Sequence, residues 1–241
     1  MFRVSCSKMA RPTSLLVLAG ALLVLAFACD RGTVPSSVVF ALRGGFPADG
    51  VILSDTGVEL QLRSAKLAVL AVELRPCVSA VRMHLRDLIG PARAYAHSAG
   101  SPTRLGVPNV IDLLASTART LGNIAPPAGR YCSTRLSLGP ADADAEGLPD
   151  PTFVGTTFAL EADARAPTAR TIDGVVSGNT TVDVTFEPAL SLAEGQDVRV
   201  EFVFGGSGAI DGLDLSGRTD DAVASELLFG AQAQIDVIIA R

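Results

Sequence analysis

The residues best suited to chemistry lie in Asp142-Ala143-Asp144-Ala145-Glu146-Gly147, with Asp150 three places on. Carboxylates at alternate positions followed by glycine match the first half of a calcium loop. There, oxygens converge on a hard cation and the glycine makes the sharp turn. The position that would carry the closing bidentate Glu is Phe153. A standard EF-hand is therefore excluded, and a calcium site would need ligands from other loops. The same composition suits a solvated acidic turn, the common use of Asp, Ala, Gly and Pro between strands. Asp211, Asp214, Asp220 and Asp221 form a second acidic group, of which the last two serve equally well at a helix start.

Histidine is scarce. His84 and His97 stand thirteen residues apart without the i,i+4 spacing of a helical metal pair. Imidazole is a common copper and zinc ligand, and His97 is the candidate for copper because it sits in a long loop with Tyr95. Such a site would still need Asp112, a thiolate or Met83 as a further ligand. Both histidines fit ordinary surface positions as well. Gly205-Gly206-Ser207-Gly208-Ala209 falls one residue short of a nucleophile elbow and has no helix behind it. There is no His-Glu-x-x-His and no phosphate loop ending in Gly-Lys. Two acids close in space could act as a glycosidase pair, but Trp is absent. The expectation is a protein that is not an enzyme and carries no obligatory cofactor, with calcium or copper as the alternatives.

What positions these residues begins with the front of the chain. Arg3, Lys8 and Arg11 precede an apolar run from Leu15 to Ala28 that contains no acid. This charged-then-apolar-then-small layout is that of an export signal, and it is short for a membrane-spanning helix. Leu25-Ala26-Phe27-Ala28-Cys29 resembles the lipobox of bacterial lipoproteins, with the Leu one place early and Phe27 where a small residue is usual. The resemblance implies a lipid on Cys29 and a membrane partner through it. Ordinary cleavage after Ala26-Phe27-Ala28 would instead release a soluble protein. The layout predicts a signal peptide over 1–28, a tether over 29–37 and one domain over 38–241, in the bacterial cell envelope (periplasm or outer membrane). With Cys6 in the leader and Cys29 lipidated, Cys77 and Cys132 remain, and two cysteines in an exported chain read as one disulfide. Two buried free thiols are the other reading.

Losing three of the 20 basic residues with the leader leaves 17 against 25 acidic. The domain is acidic, and its only lysine is Lys66. An acidic surface without a basic stripe excludes nucleic acid and an anionic membrane face as partners. Any protein or small-molecule partner stays open. Abundant Val, Thr, Gly and Pro with short apolar runs predict an all-β domain.

In chain order, Val38 to Leu42 is a strand, ended by Gly44-Gly45 and Pro47 to Gly50. Val58 to Arg63 and Lys66 to Leu74 make a pair of strands, and Arg75-Pro76 leaves Cys77 at a strand end. Residues 81–108 fit a strand or a helical face at first and then a long connection. Val110 to Leu114 is a short strand. Beyond the Pro126-Pro127-Ala128-Gly129 turn, Cys132, Thr134, Leu136 and Leu138 share one face and Tyr131, Ser133, Arg135 and Ser137 the other, which suggests a disulfide across the core. A strand over 156–162 follows the acidic loop. Val182 to Phe186 and Val198 to Phe204 alternate cleanly and read as an antiparallel hairpin. Asp220 to Phe229 is a helix capped by Thr219, and Ile235 to Ile239 is a final strand. Some eight or nine strands with long loops and a short C-terminal helix predict a β-sandwich.

The Val58–Leu74 strands, the Pro126-Pro127-Ala128-Gly129-Arg130-Tyr131-Cys132 turn and the two late strands together resemble bacterial envelope lipoproteins with an immunoglobulin- or transthyretin-like β-sandwich. A looser similarity is to the MbnP-like periplasmic copper-binding proteins. The missing Trp and the two lone histidines depart from that group, and copper binding is not carried over from it. The resemblance implies a lipid-anchored binding or structural module.

Overall fold

The structure is a computed structural model, and it describes residues 35–77, 101–166 and 168–241. Between Glu59 and Arg75 there is neither glycine nor proline. Nothing in that stretch turns the chain, and it runs as one 18-residue strand, β3 (Glu59–Pro76). This corrects the expected pair of strands. The change of phase between them is a register shift at Leu62/Ser64 against β8 (Phe158–Ala166). The bulge brings Ala65 and Leu67 to the buried side already used by Leu60 and Leu62.

Both edges of β3 are occupied. On one, β8 pairs with Glu59–Leu67 and β7 (Gly129–Leu138) with Val69–Pro76, both antiparallel. On the other lie β2 (Val51–Leu53), β4 (Arg104–Leu105) and β5 (Asn109–Asp112), three short strands. β7 and β8 thus take successive stretches of one edge, and residues 139–157 are let out between them. β9 (Arg170–Val176) then pairs with β8, and β10 (Thr180–Leu192) with β7. This completes an eight-stranded sheet.

The second sheet has the order β12 (Asp236–Ala240), β11 (Asp197–Phe204), β1 (Ser37–Gly44), β6 (Arg119–Ile124). β1 and β11 are parallel, so Val38, Phe40 and Leu42 stand beside Val198, Val200 and Phe202. The rings of Phe40 and Phe202 stack with centroids 6.1 Å apart. These side chains meet Leu60, Leu67, Leu136 and Phe158 of the large sheet in one core, which makes the domain an all-β sandwich. The hairpin expected from Val182–Phe186 and Val198–Phe204 does not form. β10 belongs to the large sheet and β11 to the small one, and the turn at Ala193–Gln196 carries the chain from one to the other.

Cys77, just past β3, is disulfide-bonded to Cys132 in β7. The bond joins neighbouring strands of one sheet, Cα to Cα 4.7 Å, and does not cross the core. A register shift at Arg75/Pro76 also turns Tyr131 inward, against the polar face expected for it. Tyr131 is buried and donates its hydroxyl hydrogen to the Pro127 carbonyl at 2.9 Å. Burial raises its pKa above the ordinary tyrosine value. With the cysteines 55 positions apart in sequence, closing the loop stabilises by about 4 kcal/mol in the chain-entropy description.

The helix α1 (Asp220–Ala233) is longer than its expected extent and begins at the expected cap, where Thr219 Oγ1 accepts from the Ala222 N–H at 3.3 Å. Its two first-turn acids act on the sheet. Asp221 accepts from the Val175 N–H at 2.8 Å and Asp220 from the Asp173 N–H at 3.2 Å. They thereby satisfy donors on the outer edge of β9 that would otherwise be free to recruit another strand. Gly174, between those donors, allows the approach, since a Cβ there would lie 2.3 Å from the Asp220 carbonyl oxygen. Gly174→Ala is expected to cost about 1–3 kcal/mol, the usual penalty for overpacking. Denaturant unfolding of the full chain checks this, and an unchanged midpoint would mean the helix start is not seated on β9.

Candidate functional site

The acidic loop is built on its apolar residues. Ala141, Ala145 and Phe153 are buried against Ala68 of β3 and Val110 of β5, in a small cluster separate from the main core. Main-chain bonds fasten it: the Val110 N–H donates to the Glu146 carbonyl at 2.8 Å and the Glu146 N–H to the Pro108 carbonyl at 2.9 Å. Gly147 has φ of +75°, and a Cβ on it would lie 2.3 Å from the Arg119 guanidinium. The turn expected of this glycine is therefore present, and it makes room for Arg119.

Asp142, Asp144 and Glu146 extend from this platform as exposed side chains. Asp150 has a structural task. It caps the short 3-10 turn Pro151–Phe153, accepting from the Thr152 N–H at 2.8 Å and from the Thr152 hydroxyl. Those two bonds, the hydroxyl's first, hold its carboxyl below the ordinary aspartate value, and the charge of Lys66 adds to the effect. Among the described residues no group of three or more His, Cys, Asp or Glu side chains is placed to hold a metal ion. Cys29, His84 and His97 lie outside the described residues. Ser207 is exposed at the start of a second 3-10 turn, Ser207–Ile210.

Two hollows stand out. A polar pocket of about 260 Å³ lies where the loop meets the outer face of the large sheet, and Lys66, Asp150, Glu161 and Asp173 line it. The larger is a groove of about 580 Å³ between β10 and β12, at the open side of the sandwich. Phe186, Leu190, Ile235, Val237 and Ile239 supply its apolar lining, and Glu187, Asp236 and Arg241 its charges. Among the described residues, no further strand pairs with the outer edge of β10 or of β12. Ile238 and Ile239 are 48% and 36% exposed. The alternation of Val182–Phe186 and the apolar run Ile235–Ile239 are visible in the sequence as strands. That they face one another across the sandwich is not.

No protein-family model and no curated protein matches the chain. Among solved structures it is similar to MbnP from Methylosinus trichosporium, at 14% identity over 70% of this chain and 75% of that one, with a TM-score of 0.30.

Two measurements follow from the loop. Its exposed acids do not converge, so the melting temperature is expected to be the same in chelator and in added calcium. A rise with calcium would show that they close on the ion. In a pH titration followed by NMR, the Asp150 carboxyl is expected to titrate below the ordinary aspartate range, and Thr152→Val to bring it back up. Because the folded pKa is depressed, the cap's contribution is complete above the unfolded value and is lost as the pH falls through the folded one.

Proposed function

We propose that the protein is an exported, lipid-anchored component of a bacterial cell envelope whose β-sandwich is a binding module. The groove between β10 and β12 is its contact surface. The observation that carries the binding half is the groove itself. It is a concavity with an apolar floor and charged residues around it, the usual form of a ligand or partner site, and Ile239, 36% exposed, stands open in its wall. The location half rests on the leader, Arg3 to Cys29. A lipid on Cys29 would hold the sandwich near a membrane surface, where a module need not cross the bilayer to act. A reaction is not part of the proposal. Calcium at Asp142–Asp150 or copper at His97 is the alternative ligand class, and metal content of the purified protein decides it.

The test is made in bacterial cells producing the full chain. Wild type is expected to incorporate labelled fatty acid and to fractionate with membranes. Cys29→Ser is expected to lose the label and to leave the membrane fraction while its domain melts at the same temperature. A photo-crosslinking residue at Ile239 should give a discrete adduct that the same residue at exposed Thr181 does not. Retention of the leader in the mature protein would sink the location half, and identical patterns at the two positions would sink the groove.

A further inference from the structure

β12 is the edge strand that the fold leaves bare. The outer edge of β9 is taken by Asp220 and Asp221 of the helix. On β6 the Leu121 carbonyl accepts from the Asn109 side-chain amide at 3.2 Å, and on β5 the Val110 N–H donates to Glu146 of the acidic loop. β10 carries Pro188, which has no N–H to offer, at the break in its pairing. Among the described residues, no group bonds to the outer edge of β12. Pairing with β11 divides its side chains between two faces. Val237 and Ile239 stand beside Phe202 and Val200 and face the groove, and Ile238 stands beside Glu201 on the outer face.

We infer that β12 pairs antiparallel with β12 of a second copy of this chain across a two-fold axis, joining the two four-stranded sheets into one. A second copy is then the partner for the side that carries the groove, a step that rests on reading that side as a contact surface. A two-fold along the sheet normal preserves the faces of a strand, so residues directly opposite must share a face. Each residue can therefore oppose only itself or one an even number of places away. Centring the axis on Ile238 sets Ile238 against its own copy and Val237 against Ile239. Asp236 then falls opposite Ala240 and beside Arg241 of the second copy, so the acid end of each strand meets the basic end of the other. Centring it on Val237 would put Asp236 against Ile238, and centring it on Ile239 would put Val237 against Arg241. Only the first of these covers Val237, Ile238 and Ile239 with aliphatic side chains and sets opposite charges together. β12 is thus complementary to itself, as an isologous contact requires. Across this axis the two chains enter their first strands at opposite ends. Residues 29–36, at most about 3.5 Å each, would let both lipids reach one membrane lying along the joint sheet.

Cysteine oxidation in cells producing the full chain reads the register. Directly opposite residues have Cα atoms about 4.5 or 5.5 Å apart, within disulfide reach, whereas residues two places off are about 8 Å apart and beyond it. Ile238→Cys is expected to give a disulfide-linked band of twice the chain mass, and Val237→Cys, Ile239→Cys and Thr181→Cys none. Ile238→Lys sets like charges opposite each other. It is expected to raise the dissociation constant of the dimer by about tenfold in sedimentation of the purified full chain in detergent. Ile238→Glu alone is expected to do the same, and the two variants produced together to pair again. No linked band from Ile238→Cys, or an equal band from Thr181→Cys, would overturn the second copy as partner. So would charge variants that stay apart when mixed. If a photo-crosslinker at Ile239 then still joins a chain of another mass, the groove stands as a contact surface and only the self-pairing falls.

Discussion

An 18-residue strand is far longer than any partner in this chain, and most of the large sheet follows from that mismatch. At roughly 3.3 Å per residue, β3 presents two edges that no single neighbour can cover. The backbone groups of a buried strand must nevertheless find partners. One edge is shared by β8 and β7, and the other by three short strands. Where β7 hands over to β8, the chain leaves the edge at Leu138 and returns at Phe158, and the Ala68 N–H keeps its bond by donating to the Thr157 carbonyl at 2.8 Å. The acidic loop is the excursion made at that handover. Its position against the outer face of the sheet, with the polar pocket beneath its end, is a consequence of the length of β3.

The sandwich treats its edges unequally. β9 is closed by the helix, whose first-turn carboxylates take the Asp173 and Val175 donors. The end of β7 is stapled to the end of β3 by the disulfide, with the Tyr131 hydroxyl tying the adjoining turn to Pro127. β10 and β12 have no such device among the described residues. Their strands carry aliphatic side chains toward one another across an open groove. An open edge is a liability that folds usually suppress, and on β10 the means are Pro188, the exposed Asp183 and Glu187 and the break in pairing between Thr185 and Leu190.

Much of this was legible in the residues, and what was not has identifiable causes. Period-two alternation located β7, β8, β10 and β11, because one face of each is buried and the other more open, and β1 showed as a short apolar run between turn signals. It could not say which strands pair. β10 and β11 are adjacent, alternating and separated by a Gly turn, yet they lie in different sheets, since the parallel pairing of β11 with distant β1 leaves no local mark. β6 and β9 escaped notice because each has a glycine inside it, Gly122 and Gly174, placed for close approach by Leu105 and by the helix. In β3 the register shifts at Leu62/Ser64 and at Val69/Ala71 moved the buried residues from even to odd positions and back, which looks like a break to any reading that assumes a constant phase.

The same contrast governs the chemistry. The acids of Asp142–Asp150 draw the eye because they are contiguous, but contiguity is a property of the chain and convergence a property of the fold. In this loop the buried alanines and Phe153 set the path, leaving Asp142, Asp144 and Glu146 in solvent and Asp150 committed to a cap. Lys66, Glu161 and Asp173 are unremarkable in the sequence, each the polar member of an alternating strand, and the spacing between them suggests nothing. Register alone assembles them. Glu161 faces Asp173 because β8 and β9 are antiparallel about a fixed pairing, and a slip of one residue would send both to the core. That slip is prevented by Leu160, Ala162 and Ile172, buried on the opposite face. The apolar core therefore sets two carboxylates opposite each other on the outer face, where both are exposed and water solvates them.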